Sequence, residues 1–297
     1  MYKVQHLLEF IFKLKVLGDL KYFLGLELAR SLEGIILSQR KYTLSILEDT
    51  NFVDAKPSSL PIETNLRMIV SDGNLLHDPS TYRCIIGRLM YLIISRPDIT
   101  YAVFTLSQFL SKLTTIHLIA LHHLLKYLKG IMGQGLLFSA KSYANIDWAV
   151  CPDTRRNVTG YCVYIHDSLI SWRLKKQHTV SRSFAESEYR AMVAVAAKLT
   201  WLRGLLSNFQ VDISSSMLFC DSQSTIYIVT NLTFHERTKH IKINCHLVRE
   251  QLVAKFLNFI HVRTQYQLAY VFTKSVTLVQ FNNFIFKFGM INIYLST

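Results

Sequence analysis

Apolar positions recur along this chain with two different periods, and the change from one to the other divides it. Val4, Leu7, Leu8, Ile11 and Phe12 fall three and four residues apart, which predicts an amphipathic helix ending near Gly18. Tyr22–Ala29 and Gly34–Ser38 read as two strands around a turn at Glu33-Gly34, and Lys41–Asp49 reads as a second helix. Between Pro57 and Asp78 no period holds, and Pro57, Pro61 and the Ser71-Asp72-Gly73-Asn74 run mark a linker. From Pro79 to Gly130 helical spacing returns. Leu89, Leu92 and Ile93, then Leu121, Leu124, Leu125 and Leu128, form apolar stripes between Arg88, Lys112, Lys126 and Lys129.

Beyond Gly133-Gln134-Gly135 the pattern changes to strands at Leu136–Phe138, Tyr143–Val150, Gly160–His166 and Leu169–Leu174. One long helix follows over Ala185–Phe209, its apolar side running through Tyr189, Met192, Val195, Ala196, Leu199, Leu202, Leu205 and Leu206. A buried-type strand, Met217–Cys220, ends on Asp221 before another helix. Three antiparallel strands, a helix, a fourth strand and then alternating helix and strand predict an α/β sheet whose strand ends can gather acids. Such a cluster suits divalent metal. Two ions about 4 Å apart need several carboxylates from separate elements to neutralise them while they activate water and support a leaving phosphodiester oxygen.

Composition narrows the class. Half of the 297 residues are hydrophobic and 18% are charged, with few Gly and Pro, so the chain can bury a core and is not a disordered tail. Mean hydropathy is +0.22. Yet Glu9, Lys13, Arg88, Arg96 and Lys287 interrupt every long apolar stretch, which argues against a membrane span. The N-terminus lacks the uninterrupted apolar core of a signal peptide, so an intracellular location, cytoplasmic or nuclear, is expected. Thirty-three Lys and Arg against twenty Asp and Glu give a net charge of +13, which favours a polyanionic partner, with a solvated basic surface as the plain alternative. Five cysteines in no C-x-x-C pair read as reduced thiols. The Asn157 and Asn231 triplets carry no meaning in an intracellular chain.

Several collinear motifs then carry a family resemblance. Lys15-Val16-Leu17-Gly18-Asp19-Leu20-Lys21-Tyr22-Phe23-Leu24-Gly25 and Leu37-Ser38-Gln39-Arg40-Lys41-Tyr42 resemble the segment after the polymerase active site in copia-type reverse transcriptases. Ile86-Gly87-Arg88-Leu89-Met90-Tyr91-Leu92, Ser95-Arg96-Pro97-Asp98-Ile99 and Tyr127-Leu128-Lys129-Gly130 resemble the helical thumb and connection that follow. Ser183 to Met192 (Ser-Phe-Ala-Glu-Ser-Glu-Tyr-Arg-Ala-Met), Cys220-Asp221 and Arg237-Thr238-Lys239-His240-Ile241 resemble that family's ribonuclease H. The resemblance spans nearly the whole chain in the family's order. It implies a truncated, degenerate retrotransposon Pol polyprotein of α/β class. A small α+β palm remnant and linker (1–68) and a helical thumb and connection (69–135) would precede a ribonuclease H-like mixed sheet with flanking helices (136–297). The polymerase aspartate pair would lie upstream of Met1, so no nucleotide addition is expected.

The family's ribonuclease H uses four acids with Mg²⁺ or Mn²⁺, and the resemblance places two of them here. Glu188 matches the helix carboxylate and Asp221 that of the fourth strand, as catalytic and metal-binding residues. Where the family has Tyr-Ser-Asp-Ala-Asp-Trp-Ala, this chain has Tyr143-Ala144-Asn145-Ile146-Asp147-Trp148-Ala149, so the metal-bridging aspartate is Asn145. The family's Gln-Leu-Ala-Asp is Gln267-Leu268-Ala269-Tyr270, and a further acid is Asn244, beside His246. Asp147 shares a strand face with Asn145 and is a conceivable substitute ligand, although the family already has an acid there and a structural role is the better reading. Loss of two charged oxygen donors should weaken divalent-ion binding severely, so little or no cleavage is expected.

Other residues have plainer readings. Trp148, Trp172 and Trp201 could stack on bases, but in strands and on an apolar helix face they are expected in the core. His235, His240, His246 and Cys245 fit no closed zinc site, and Arg237, Lys239 and Lys242 among them would repel a cation. Arg155, Arg156, Arg173, Lys175, Lys176, Arg237 and Lys239 are candidates for phosphate and 2′-hydroxyl contacts along an RNA/DNA hybrid or RNA, or else a solvated edge. Neither a membrane nor a small-molecule substrate is implied. Three functions stand: an inactive relic, a residual hybrid nuclease, and a module that binds RNA/DNA or RNA without cutting it. Salt-sensitive binding without Mg²⁺-dependent cleavage would single out the third.

Overall fold

The computed structural model describes residues 9–12, 18–64, 68, 73–140, 146–153, 158–176, 184–211, 213, 215–230 and 242–294, with backbone alone at 146–153, 184–190, 228 and 242–247. Of the predicted N-terminal helix, residues 9–11 are helical, Phe12 is in a bend, and residues 1–8 and 13–17 lie outside the described residues. Its apolar side chains Phe10, Ile11 and Phe12 are exposed.

The single strand predicted over Tyr22–Ala29 is two, β1 (Tyr22–Phe23) and β2 (Leu26–Arg30). They pair across Leu24-Gly25, which both have positive φ, the geometry of a tight two-residue hairpin turn. The turn is held from outside, since the Tyr91 hydroxyl donates to the Leu24 carbonyl. Strand β3 (Gly34–Ser38) and helix α1 (Arg40–Asp49) follow as expected.

The predicted helical run divides into α2 (Ser80–Leu92), a 3-10 turn (Pro97–Ile99), α3 (Thr100–Ser107) and α4 (Thr115–Gly130). Thr114 starts α4 through a reciprocal capping box in which its backbone N–H donates to His117 Nδ1 at 3.0 Å. The stripe Leu121, Leu124, Leu125 and Leu128 is fully buried, as its spacing requires.

Strand β4 (Gln134–Ser139) lies in an unexpected place. It was expected to lead into the later strands, but pairs with β3 on one side and with β10 (Met290–Asn292) on the other. The first sheet is therefore ordered β1-β2-β3-β4-β10, all antiparallel, with strands from both ends of the chain. Leu28, Leu37, Leu136 and Met290 are cross-strand neighbours on one face. Leu136 and Met290 from that face join the core formed by α1 to α4.

The second sheet holds β5 (Ile146–Asp153), β6 (Val158–Ile165), β7 (Ser168–Lys176), β8 (Ser216–Cys220) and β9 (Leu257–His261) in the order β7-β6-β5-β8-β9. Strands β7, β6 and β5 are antiparallel, while β5, β8 and β9 are parallel, so the predicted mixed α/β sheet is present. Helices α5 (Phe184–Asn208), α6 (Gln223–Thr230) and α7 (Lys242–Val253) flank the strands, with a 3-10 segment over Leu268–Phe272, whereas α8 (Leu278–Lys287) packs on that segment, on β10 and into the first core. Alternation along β6 divides its side chains between two cores. Tyr161 and Val163 pack with Met192, Val195 and Leu199 of α5, whereas Cys162 and Tyr164 join the cluster that includes the helical module, Phe272 and Phe288.

Two side-chain expectations fail. Leu205 is 36% exposed and Trp201 is 55% exposed, so neither belongs to the core. Both lie off the line of Met192, Val195, Ala196, Leu199 and Leu202, which does face the sheet. Trp172 packs against the first core as expected, and the Trp148 side chain lies outside the described residues. Among the described residues, no helix is long and apolar enough to cross a membrane.

Candidate metal and nucleic-acid site

In an open α/β sheet the carboxyl ends of the parallel strands are where ligands collect. Here Asp221 stands directly after β8, at the approach to α6. The loop holding it is stiffened by hydroxyls: Ser222 Oγ lies 3.0 Å from Ser224 Oγ and 2.9 Å from Thr225 Oγ1, and accepts from the Thr225 N–H. On the β9 side, the Val262 N–H donates to the Cys220 carbonyl at 2.9 Å. Asp221 itself is half-buried, and its Oδ1 is shut from solvent without a hydrogen-bond partner among the described residues. A carboxylate oxygen in that state costs free energy unless a cation or donor completes it.

Of the other sequence-predicted acids, Asp147 and Glu188 are described by backbone alone. Strand β5 pairs Ile146 with Ser216, Asp147 with Met217 and Val150 with Cys220. The position beside Asp221 thus continues from Cys151, and Asp147 lies four residues back, roughly 13 Å at ~3.3 Å per residue. Asn145 lies outside the described residues, as do Arg155, Arg156, Arg237 and Lys239. Glu188 is the fifth residue of α5, where helical periodicity puts it at the head of the stripe that continues through Met192 and Val195.

Tyr270 sits in the Leu268–Phe272 segment, which packs on β5 and β6. Its neighbours explain why the segment holds so firmly. Gln267 is fully buried and its Nε2 donates to the Phe219 carbonyl of β8 at 3.2 Å. Ala269 is buried against Gly160 of β6, where a Cβ would come within 2.9 Å of Thr273 Cγ2 and 3.1 Å of Phe272 Cβ. The Tyr270 ring is half-buried with the Lys274 ammonium 4.9 Å from its centroid. Backbone placement of the motif is thus tight, and its last position carries an aromatic ring instead of an acid.

Hard divalent ions need several charged oxygen donors, and among the described side chains at the end of β8 Asp221 offers one. Among the described residues no group of three or more His, Cys, Asp or Glu is placed to hold a metal ion. Cys84, Cys162 and Cys220 are thiols and form no disulfide.

Basic side chains lie on the outer edge of the same sheet. Arg173, Lys175 and Lys176 are exposed on β7. A cleft of about 530 Å³ also opens between the two sheets, lined by Tyr164, His166, Gln267, Leu268 and Lys287. It had no signal in the sequence, because its walls come from strands and helices distant in the chain. Burial, and then the neighbouring Cys162, push the Tyr164 phenol well above its ordinary range.

No protein-family model matches the chain. It is 39% identical over 289 residues to the retrovirus-related Pol polyprotein from transposon RE2 of Arabidopsis thaliana, covering 95% of this chain and 20% of that protein. It is 38% identical over 286 residues to the Pol polyprotein from transposon RE1 of the same plant, covering 94% and 20%. An uncharacterized mitochondrial protein of Arabidopsis thaliana is 41% identical over 196 residues, which are 64% of this chain and 81% of that protein. The chain spans about one fifth of the length of the two polyproteins.

Proposed function

The chain belongs to the retrovirus-related Pol polyproteins of copia-type transposons, and from that premise we propose that it carries a ribonuclease H-like unit that has kept its fold and lost its metal centre. Two observations support this most, the partnerless Oδ1 of Asp221 among the described residues and the phenol of Tyr270 in the segment packed on β5 and β6. A buried carboxylate oxygen waits at the end of β8, and the segment packed beside the sheet supplies a phenol where the family has an acid. In a complete site, bound Mg²⁺ or Mn²⁺ would generate the attacking hydroxide and neutralise the leaving oxygen of the RNA strand in an RNA/DNA hybrid. Asp221 and Glu188 would be its protein ligands here. Two carboxylates without Asn145 and Tyr270 as acids are too few to hold such ions at ordinary concentrations.

The organisation proposed for the chain is a palm remnant over 1–68, a helical thumb and connection over 69–135 and the ribonuclease H-like unit over 136–297. Strand β4 ties these parts together, because its neighbours are β3 and β10. A second reading, a module that holds RNA/DNA or RNA without cutting it, draws on the net charge of +13 and on the exposed Arg173, Lys175 and Lys176.

The deciding experiment is cleavage of a labelled RNA/DNA hybrid with Mg²⁺ or Mn²⁺ by the chain and by its Asn145→Asp, Tyr270→Asp double variant. A silent parent and a cutting variant are expected. Cleavage by the parent that Asp221→Asn abolishes would overturn the inactivity, and silence of both proteins would remove the support for a lost ribonuclease site.

A further inference from the structure

Trp201 stands off the apolar stripe of α5 and is 55% exposed. A helix turns about 100° per residue, so Trp201, three residues beyond Lys198 and four beyond the exposed Ala197, shares their outward side. The Lys198 ammonium lies 3.9 Å from the centroid of the indole. Arg173 approaches from the sheet. It pairs with Tyr161, whose side chain belongs to the core beneath α5, so it projects from edge strand β7 on the face that α5 covers. Lys175, two positions along, has the same face and is exposed. The Lys198 ammonium is held below its ordinary range by partial burial and then by the Arg173 guanidinium. Among the described residues, neither cation has a carboxylate within ion-pair distance.

Two neighbouring cations with no ion-pair partner among the described residues, beside an exposed aromatic ring, select their ligand. A simple anion would satisfy Arg173 and Lys198 and leave the indole in water. An apolar peptide would cover the indole and bury the charges. A phosphodiester next to an unstacked base satisfies all three groups. Duplex bases offer no free π-face along their length, whereas a single strand offers one at every nucleotide.

We propose that Arg173, Lys198 and Trp201 form a binding platform for single-stranded nucleic acid, with a backbone phosphate between the two cations and a base stacked on the indole. It is separate from the carboxylate site, because Trp201 lies thirteen residues beyond Glu188 on the same helix, roughly 20 Å at ~1.5 Å per residue. The platform deepens the nucleic-acid-binding reading above. Its test runs in EDTA, so that failure of the platform and failure of the metal-site reading are read separately.

The measurement is fluorescence anisotropy of a labelled, mixed-sequence, twelve-nucleotide single strand, as RNA and as DNA, titrated with the full chain. Trp201→Ala is expected to raise Kd roughly tenfold and Trp201→Phe to restore most of the affinity. Lys198→Gln and Arg173→Gln should each weaken binding and lower the slope of log K against log salt by about 0.7. Lys112→Gln, on the exposed turn after α3, should change neither. Circular dichroism checks that each variant is folded, and Trp201→Phe carries the conclusion if Trp201→Ala is not. The platform is overturned if no single strand binds, if Trp201→Ala binds within twofold of the parent, or if a blunt hybrid duplex competes as well as unlabelled single strand. That last outcome would assign the cations to a duplex backbone.

Discussion

Two aspartates, one in each half of the molecule, show opposite solutions to the burial of a charge. Asp98, in the 3-10 turn before α3, is 3% exposed and has every partner it needs. Arg96 donates to it twice, Nε to Oδ1 at 2.9 Å and Nη2 to Oδ2 at 2.5 Å, and the Tyr127 hydroxyl donates to Oδ2 at 2.7 Å. Burial, and then the Asp98 carboxylate, hold the Tyr127 phenol well above its ordinary range, so it stays a donor. Asp221 is less buried, yet one of its oxygens has no partner among the described residues. A structural acid arrives with its counter-ion in the same chain, whereas on the function proposed above Asp221 would depend on a cation from outside. The difference separates the two roles without reference to either motif's name.

The largest effect should come from breaking the complete set. Asp98→Asn leaves the Arg96 guanidinium buried and uncompensated, and chemical denaturation should register a loss of about 3–5 kcal/mol. Tyr127→Phe removes one hydrogen bond to the same carboxylate and should cost about 1.5–3 kcal/mol by the same assay. Asp221→Asn should shift stability by less than ~1 kcal/mol in either direction, because no partner is lost. A loss comparable to that of Asp98→Asn would end the contrast and make Asp221 a structural acid. The smallest effect is acid sensitivity of the helical module. The His122 ring of α4 lies tilted against Phe52 with centroids 5.0 Å apart, and burial, then Lys126, hold its imidazole below its ordinary range. The unfolded chain therefore takes up a proton first as pH falls below ~6.5, so stability present above that value declines through the interval down to the folded one. Thermal melts between pH 7 and pH 5 should show this slope, and His122→Gln should flatten it.

Much of the second sheet was legible because its signals are local. The strand of alternating residues at Gly160–His166, the long stripe from Met192 to Leu202 and the acid at the end of Met217–Cys220 all landed where periodicity put them. Leu24-Gly25 was missed because aromatic and aliphatic residues on both sides conceal a turn whose support, Tyr91, lies far along the chain. The partners of Leu136–Phe138 were missed because strand pairing is set by non-local faces, here Leu37 and Met290. Trp201 was a misreading with the signal present. It lies two residues from Leu199, about 200° around the helix, beside Lys198 and not beside the stripe. Motif spacing picks out Asp221 at the end of a strand, where the structure has it, whereas the pairing of β5 with β8 needed the fold.

Strand β4 also sets a schedule for making the molecule. One of its edges is taken by β3, which emerges from the ribosome a hundred residues earlier, while the other waits for Met290–Asn292. Until Met290–Asn292 has been made, the nascent chain holds an open strand edge beside Leu137 and Phe138, the kind of surface that recruits other chains. A chain that stalls before residue 290 would leave that edge open for good, and recognition by chaperones or proteases would fall on the newborn protein at its center.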